Sequence, residues 1–98
     1  MPTPAAPESL TIEHLADRGR FQTLVQGMRC DLDYRFEAGV MTITHTGVPP
    51  PLEGRGIAAA LVRAALDHAG ASGWKVRPLC SYARVYMQRH PETNVLLA

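Results

Sequence analysis

The feature that most constrains this chain is a change of period across residues 48–62, VPPPLEGRGIAAALV. Upstream of it apolar residues alternate at period two between turn residues, and downstream of Gly56 they recur at i, i+3, i+4. The three prolines from Pro49 to Pro51 cannot donate to a strand ladder and so end a strand. Gly54 and Gly56, on either side of Arg55, then free the backbone just before a helix begins. The chain must turn a strand into a helix within a few residues.

Four strands are expected before it. They run from Ser9 to Leu15, Phe21 to Val25, Met28 to Phe36 and Val40 to Thr46, separated by ADRGR, Gln26-Gly27 and EAG. In the third, Cys30, Leu32, Tyr34 and Phe36 share one face, while Arg29, Asp31, Asp33 and Arg35 share the other and read as a solvated comb. Alternation in the fourth puts Met41, Ile43 and His45 on one side and Val40, Thr42, Thr44 and Thr46 on the other. On that reading His45 is a hydrogen-bonded core or cleft residue rather than a base.

After Gly56, the residues Ile57, Ala60, Leu61, Ala64, Ala65 and His68 form a helical stripe of roughly 15 residues. Gly70 and Gly73 end it, WKVRPLC reads as a short strand, and Ser81 to Arg89 reads as a second helix stopped before Pro91. The order is ββββ-α-β-α, an α/β (α+β) class with an antiparallel four-strand meander followed by α-β-α.

At 98 residues the chain holds one core, burying roughly 60–65% of the unfolded surface. Residues 1–8 are expected to fray and 9–98 to form a single domain. A net charge of +1 gives no bulk electrostatic reason to expect nucleic acid. No apolar run is long enough to span a membrane, and the N-terminus lacks the basic and apolar regions of a signal peptide, so a cytoplasmic protein without a membrane partner is expected. Cys30 and Cys80 show no metal-ligand spacing. No metal is expected, and both cysteines read as free thiols, Cys30 as an apolar filler of the third strand.

The glycine junction is a candidate anion site. Backbone N–H groups cluster there, the helix dipole favours negative charge, small residues at 54, 56 and 58 admit a ligand, and Arg55 adds a forked donor. The same residues also fit a plain tight turn. GxxxxGK[ST] is absent, and so are the third glycine and the βαβ context of a dinucleotide fingerprint.

The order of elements and the EGRGIAAALV turn resemble the GNAT superfamily of N-acetyltransferases, whose turn reads Gln/Arg-x-x-Gly-x-Gly/Ala. Gly56 and Ala58 match the last two positions, and Glu53 stands where Gln or Arg is usual. Within the superfamily, residues Tyr34 to Pro91 resemble the small, single-domain YjdJ-like branch. There the fourth strand reads His-Thr-Glu-Val-Pro, against His45-Thr46-Gly47-Val48-Pro49 in this chain. The glutamate's place is taken by Gly47.

The resemblance implies a reduced GNAT-like core, with a central mixed sheet and helices packed on it. It implies acetyl-CoA as cosubstrate in a cleft where the fourth and fifth strands splay, the pantetheine pairing near Val48. The pyrophosphate would rest on the turn, and Glu53, Gly54, Arg55, Gly56, Ile57 and Ala58 are the cofactor-binding candidates with Val48. The amine acceptor stays open. Cys80, where the fifth strand meets the second helix, matches a cysteine that faces the acetyl group in the branch, and reads either as an acetyl acceptor or as a structural thiol. Tyr86 matches the tyrosine that protonates the departing CoA thiolate, with Tyr82 on the same helical face as its alternate. A half-buried structural aromatic is the competing reading. His14, His68 and His90 read as structural, His90 capping a helix end. The implied activity is transfer of an acetyl group from acetyl-CoA to an amine, directly or via Cys80; the alternative is a non-catalytic acyl-CoA binding module.

Overall fold

Two tight hairpins organise the first half of the chain. Gln26-Gly27 and Ala38-Gly39 all have positive φ, between 52° and 78°, the signature of type I′ turns, whose twist matches that of the strands they join. The computed structural model describes residues 10–98. Its strands are β1 (Glu13–Leu15), β2 (Arg20–Val25), β3 (Met28–Glu37), β4 (Val40–Gly47) and β5 (Lys75–Pro78), and its helices are α1 (Ile57–Ser72) and α2 (Ser81–Arg89). Short 3-10 turns cover Ala16–Arg18, Pro50–Leu52 and Pro91–Leu96. The sheet runs β1-β2-β3-β4-β5, antiparallel through β4, with β5 parallel to β4. This is the mixed sheet and ββββ-α-β-α order expected from the sequence.

One face of the sheet and both helices enclose the core. Leu32, Met41, Ile43, Leu52, Leu61, Val62 and Val76 are fully buried, each contributing about 1.5–3 kcal/mol relative to exposure. The buried stripe of α1 is Ile57, Leu61, Val62, Ala65, Leu66 and Ala69, rotated from the expected one. Val62 and Leu66 carry more apolar surface than Ala60 and Ala64, so the helix turns them to the sheet and leaves the alanines on its flank. Gly73, at φ 75°, caps α1, whereas Gly70 stays inside the helix.

Several expectations change. The strand expected from Ser9 begins only at Glu13; Leu10 and Ile12 pack on the core outside the ladder. Ser9 and the segment expected to fray, 1–8, lie outside the described residues. The C-terminal segment adds a parallel bridge between Val76 and Leu97 beside β5. Phe36 is 46% exposed and packs its ring 4.1 Å from that of Trp74 at the sheet's end. His14 and His68 do meet, their rings 4.3 Å apart within a cluster containing Phe21 and Trp74. His14 also hydrogen-bonds the Tyr34 hydroxyl, and burial, with His68 alongside, lowers its pKa.

The largest correction concerns β4. Asp33 pairs with His45 and Tyr34 with Ile43, so Thr44 has no partner and forms a bulge. One extra residue reverses the alternation beyond it. His45, expected on the core side, therefore lies exposed on the outer face, and Thr46, expected outside, turns inward. On that outer face the comb is only partly solvated: Arg20 meets Asp33 at 2.8 Å and Arg29 meets Asp31 at 3.1 Å.

At Gly19, φ is 64° and a Cβ would sit 2.3 Å from the Tyr34 carbonyl oxygen, while the Gly19 carbonyl accepts from the Tyr34 amide at 2.8 Å. Gly19→Ala should therefore destabilise the fold by about 2 kcal/mol or more, read as a lower midpoint in urea unfolding. An unchanged midpoint would show that the β2 entry is looser than described.

Candidate active site

β5 stops at Pro78, which has no N–H to give the ladder. The last pair between β4 and β5 is Ile43 with Pro78, and beyond it β4 continues through residues 44–47 with β3 alone as its neighbour. At the fork the Ile43 carbonyl accepts from both the Leu79 amide (3.0 Å) and the Cys80 amide (3.1 Å). That shared acceptor turns the chain off the sheet and starts α2, leaving one edge of β4 without a strand partner.

An open groove of about 510 Å³ lies along this edge. Thr46 and Gly47 line it from β4, Val48 just beyond, Leu52, Glu53, Gly54 and Gly56 from the turn, Ile57 and Ala58 from the start of α1, and Tyr82 from α2. Six of the seven cofactor-binding candidates thus meet in one place. Arg55, the seventh, is exposed at the tip of the turn and outside the lining.

The turn also gives the groove a positive end. Gly56, at φ 81°, is the N-cap of α1 and supplies no side-chain cap. The first intrahelical bond runs from the Ala60 amide to the Gly56 carbonyl at 3.0 Å, so the amides of Ile57, Ala58 and Ala59 have no intrahelical acceptor. No acidic residue stands in the first turn of α1, and a Cβ at Gly54 would meet nothing within 4 Å. These groups fit a phosphate. Glu53 is exposed in the lining, and nothing in the structure accounts for an acid there.

Outside the groove lining but touching its Thr46, Cys80 is the N-cap of α2. Its Sγ accepts from the Ala83 amide at 3.3 Å and lies 3.4 Å from Thr46 Oγ1. Both partners can donate to the sulfur. Thr46 reaches Cys80 only because of the bulge, which nothing in the alternating sequence announces. Cys30, in contrast, is fully buried in the core, and burial pushes its thiol pKa up.

The two tyrosines separate. Tyr82 lines the groove at 41% exposure, and its pKa is raised, mainly by desolvation and then by Tyr86, with Arg89 opposing. Tyr86 is buried one turn on, outside the groove lining, its ring stacked 4.0 Å from His90. His90 Nδ1 contacts the Tyr86 carbonyl oxygen at 2.7 Å and so caps α2 as expected. Among the described residues no cluster of three His, Cys, Asp or Glu could hold a metal ion, and no helix is long and apolar enough to cross a membrane.

Comparison with known proteins points the same way. The family described as GCN5-related N-acetyl-transferase matches residues 20–96. Relatives named Protein NATD1 are 32% identical over 85 residues in Mus musculus and 33% over 87 residues in Xenopus tropicalis. These alignments cover 84% and 85% of this chain, and 77% and 79% of the relatives. A structure from Staphylococcus aureus described as GCN5-like, solved by NMR, superposes with a TM-score of 0.73 at 24% identity. It covers 91% of this chain and 88% of its own, and the likeness establishes the fold.

Proposed function

Because this chain belongs to the family of GCN5-related N-acetyltransferases, an enzyme family of acyl transfer, we propose that it moves an acetyl group from acetyl-CoA to an amine. The observation that carries the reading is the unpaired β4 edge running directly into the open amides of α1 along one groove.

Neither end suffices alone. A helix terminus contributes roughly 0.3–1 kcal/mol per charge, whereas micromolar binding requires about 8 kcal/mol. The pantetheine therefore pairs with the free edge near Val48 as an added strand would, while the pyrophosphate rests on Gly54, Gly56, Ile57 and Ala58. Arg55, at the tip, reaches the outer phosphate oxygens or the ribose side. That orientation brings the thioester toward Thr46 and Cys80.

The amine attacks the thioester carbonyl, either directly or after the acetyl group has passed to Cys80. Thr46 Oγ1 and the Ala83 amide both contact the Cys80 sulfur. Tyr82 is preferred over Tyr86 as the proton donor to the departing thiolate, since it lines the groove while Tyr86 packs on His90.

Gly56→Glu places a side chain and a negative charge where the pyrophosphate rests. Calorimetry with acetyl-CoA should show affinity reduced at least about tenfold, the cost of about 1.4 kcal/mol; undiminished affinity would overturn the assignment of the turn.

Cys80→Ala separates the two chemical routes. Incubation with acetyl-CoA followed by peptide mass spectrometry should find acetyl on Cys80 of the wild type and none at that peptide in the variant. Wild-type protein that turns over amines without Cys80 acetylation assigns direct transfer, and binding without CoA release for any amine makes the chain a binding module.

A further inference from the structure

On the acyl-transfer reading the amine acceptor is the open half of the reaction, and the sheet offers it a second groove. Both helices pack on the inner face of the sheet, where the first groove lies. The splay beyond Ile43 and Pro78 is a gap between strands and so opens on the outer face as well. From that opening a groove of about 680 Å³ runs back along β4 toward the Ala38-Gly39 hairpin. Leu79 lines its end at the fork, Arg35, Thr42 and Arg77 its middle, and Glu37 and Val40 its far end.

Strand register assembles that middle. Arg35 pairs with Thr42 across β3 and β4, and Thr42 pairs with Arg77 across β4 and β5. The three side chains thus stand in one row on one face, the arginines flanking the threonine at strand spacings of about 4.8 Å. Arg77 Nη1 donates to Thr42 Oγ1 at 3.4 Å, which directs its guanidinium over β4. Elsewhere on this face arginines meet acids, Arg20 with Asp33 and Arg29 with Asp31. Among the described residues neither Arg35 nor Arg77 has a carboxylate within ion-pair distance. Glu37 is the one acid of the lining and lies two residues farther from the fork than Arg35, so two unneutralised cations face a single carboxylate.

We propose that the Arg35–Thr42–Arg77 row is the specificity site for the acceptor, holding a carboxylate carried on the same molecule as the reacting amine. The proposal rests on the acyl-transfer reading above. Each guanidinium presents a planar fork matched to a carboxylate. Thr42 Oγ1 accepts from Arg77, so its own O–H remains free to donate. From this row to that of Thr46, β3 advances from Arg35 to Leu32, about 10 Å at about 3.3 Å per residue. An amine at the splay and an acid on the row, met part-way by the arginine side chains, are joined by an extended chain of about five methylenes. Leu79, 53% exposed at the fork, gives those methylenes an apolar contact. The substrate class is then an ω-amino acid rather than a plain alkylamine.

The test compares wild type with Arg35→Gln, Arg77→Gln and the double variant, using acetyl-CoA with 6-aminohexanoate and with its neutral analogue 6-aminohexanamide. Wild type should prefer the carboxylate by about tenfold or more in kcat/KM. Each single substitution should raise the KM for 6-aminohexanoate at least about fivefold more than the KM for the amide, with kcat moving little, and the double variant should abolish the preference. Added salt should raise the KM for the carboxylate alone, because the contact is between exposed charges. Both arginines are exposed and lie outside the CoA groove, so acetyl-CoA affinity by calorimetry and the thermal midpoint should stay unchanged. Equal kcat/KM for the two amines in wild type, or substitutions that weaken both alike, overturns the acceptor site. Wild type that binds acetyl-CoA and acetylates neither amine overturns it as well. Failure of wild type to bind acetyl-CoA overturns the acyl-transfer reading itself, and the acceptor site with it.

Discussion

One carbonyl decides the geometry of the molecule. The Ile43 oxygen accepts from both Leu79 and Cys80, which closes the β4–β5 ladder and, within two residues, begins α2. Because Pro78 cannot extend β5, β4 runs on with a bare edge. An unpaired edge in a small domain is a liability unless something covers it. Here it opens on the groove that ends at α1, where several amides of the first turn also lack acceptors. Two sets of unsatisfied backbone groups thus converge, one shaped for an extended amide chain and one for a phosphate. An acyl-CoA carries both.

The second decision is the bulge at Thr44. Without it, strict alternation would put Thr46 on the outer face and His45 among Met41 and Ile43 in the core. With it, the strand offers a hydroxyl to the Cys80 sulfur on one side and an imidazole to Asp31 on the other. Bulges recur where a strand must re-aim a side chain, and this one re-aims two in opposite directions. Gly47 fits this arrangement, because a Cβ there would come 2.7 Å from His45 Nε2 and make the imidazole shift. A departure from the related His-Thr-Glu-Val-Pro pattern thereby acquires a structural partner in Asp31.

Most of the architecture was legible from periodicity and punctuation. The hairpin turns at Gln26-Gly27 and Ala38-Gly39, the proline stop after β4, the helix from Ile57 and the helix over Ser81–Arg89 all carry local signals that tertiary packing did not override. The glycine turn into α1, with its open amides, was legible for the same local reason. What escaped has non-local causes. A bulge leaves no mark in an alternating run, since the extra residue is defined by its partner strand, and so strict alternation puts His45 and Thr46 on the wrong faces. The rotation of α1 depended on which apolar side chains the sheet could receive. The meeting of His14 with His68, and the docking of Leu97 beside Val76, join segments far apart in the chain. Tyr82 and Tyr86 share a helical face, and only the position of the groove distinguishes them.

The central claim is that the β4 edge and the α1 amides form one acyl-CoA site. Titration of nitrogen-labelled protein with CoA, followed by amide chemical-shift mapping, addresses it without requiring turnover or knowledge of the acceptor. The account predicts saturable shifts concentrated at residues 46–48 and 54–59, with the Gly39 amide, in the hairpin at the far end of β4, left still. Shifts centred away from the splay, or none at about 1 mM CoA, the concentration matched to a binding energy of only about 4 kcal/mol, would contradict it.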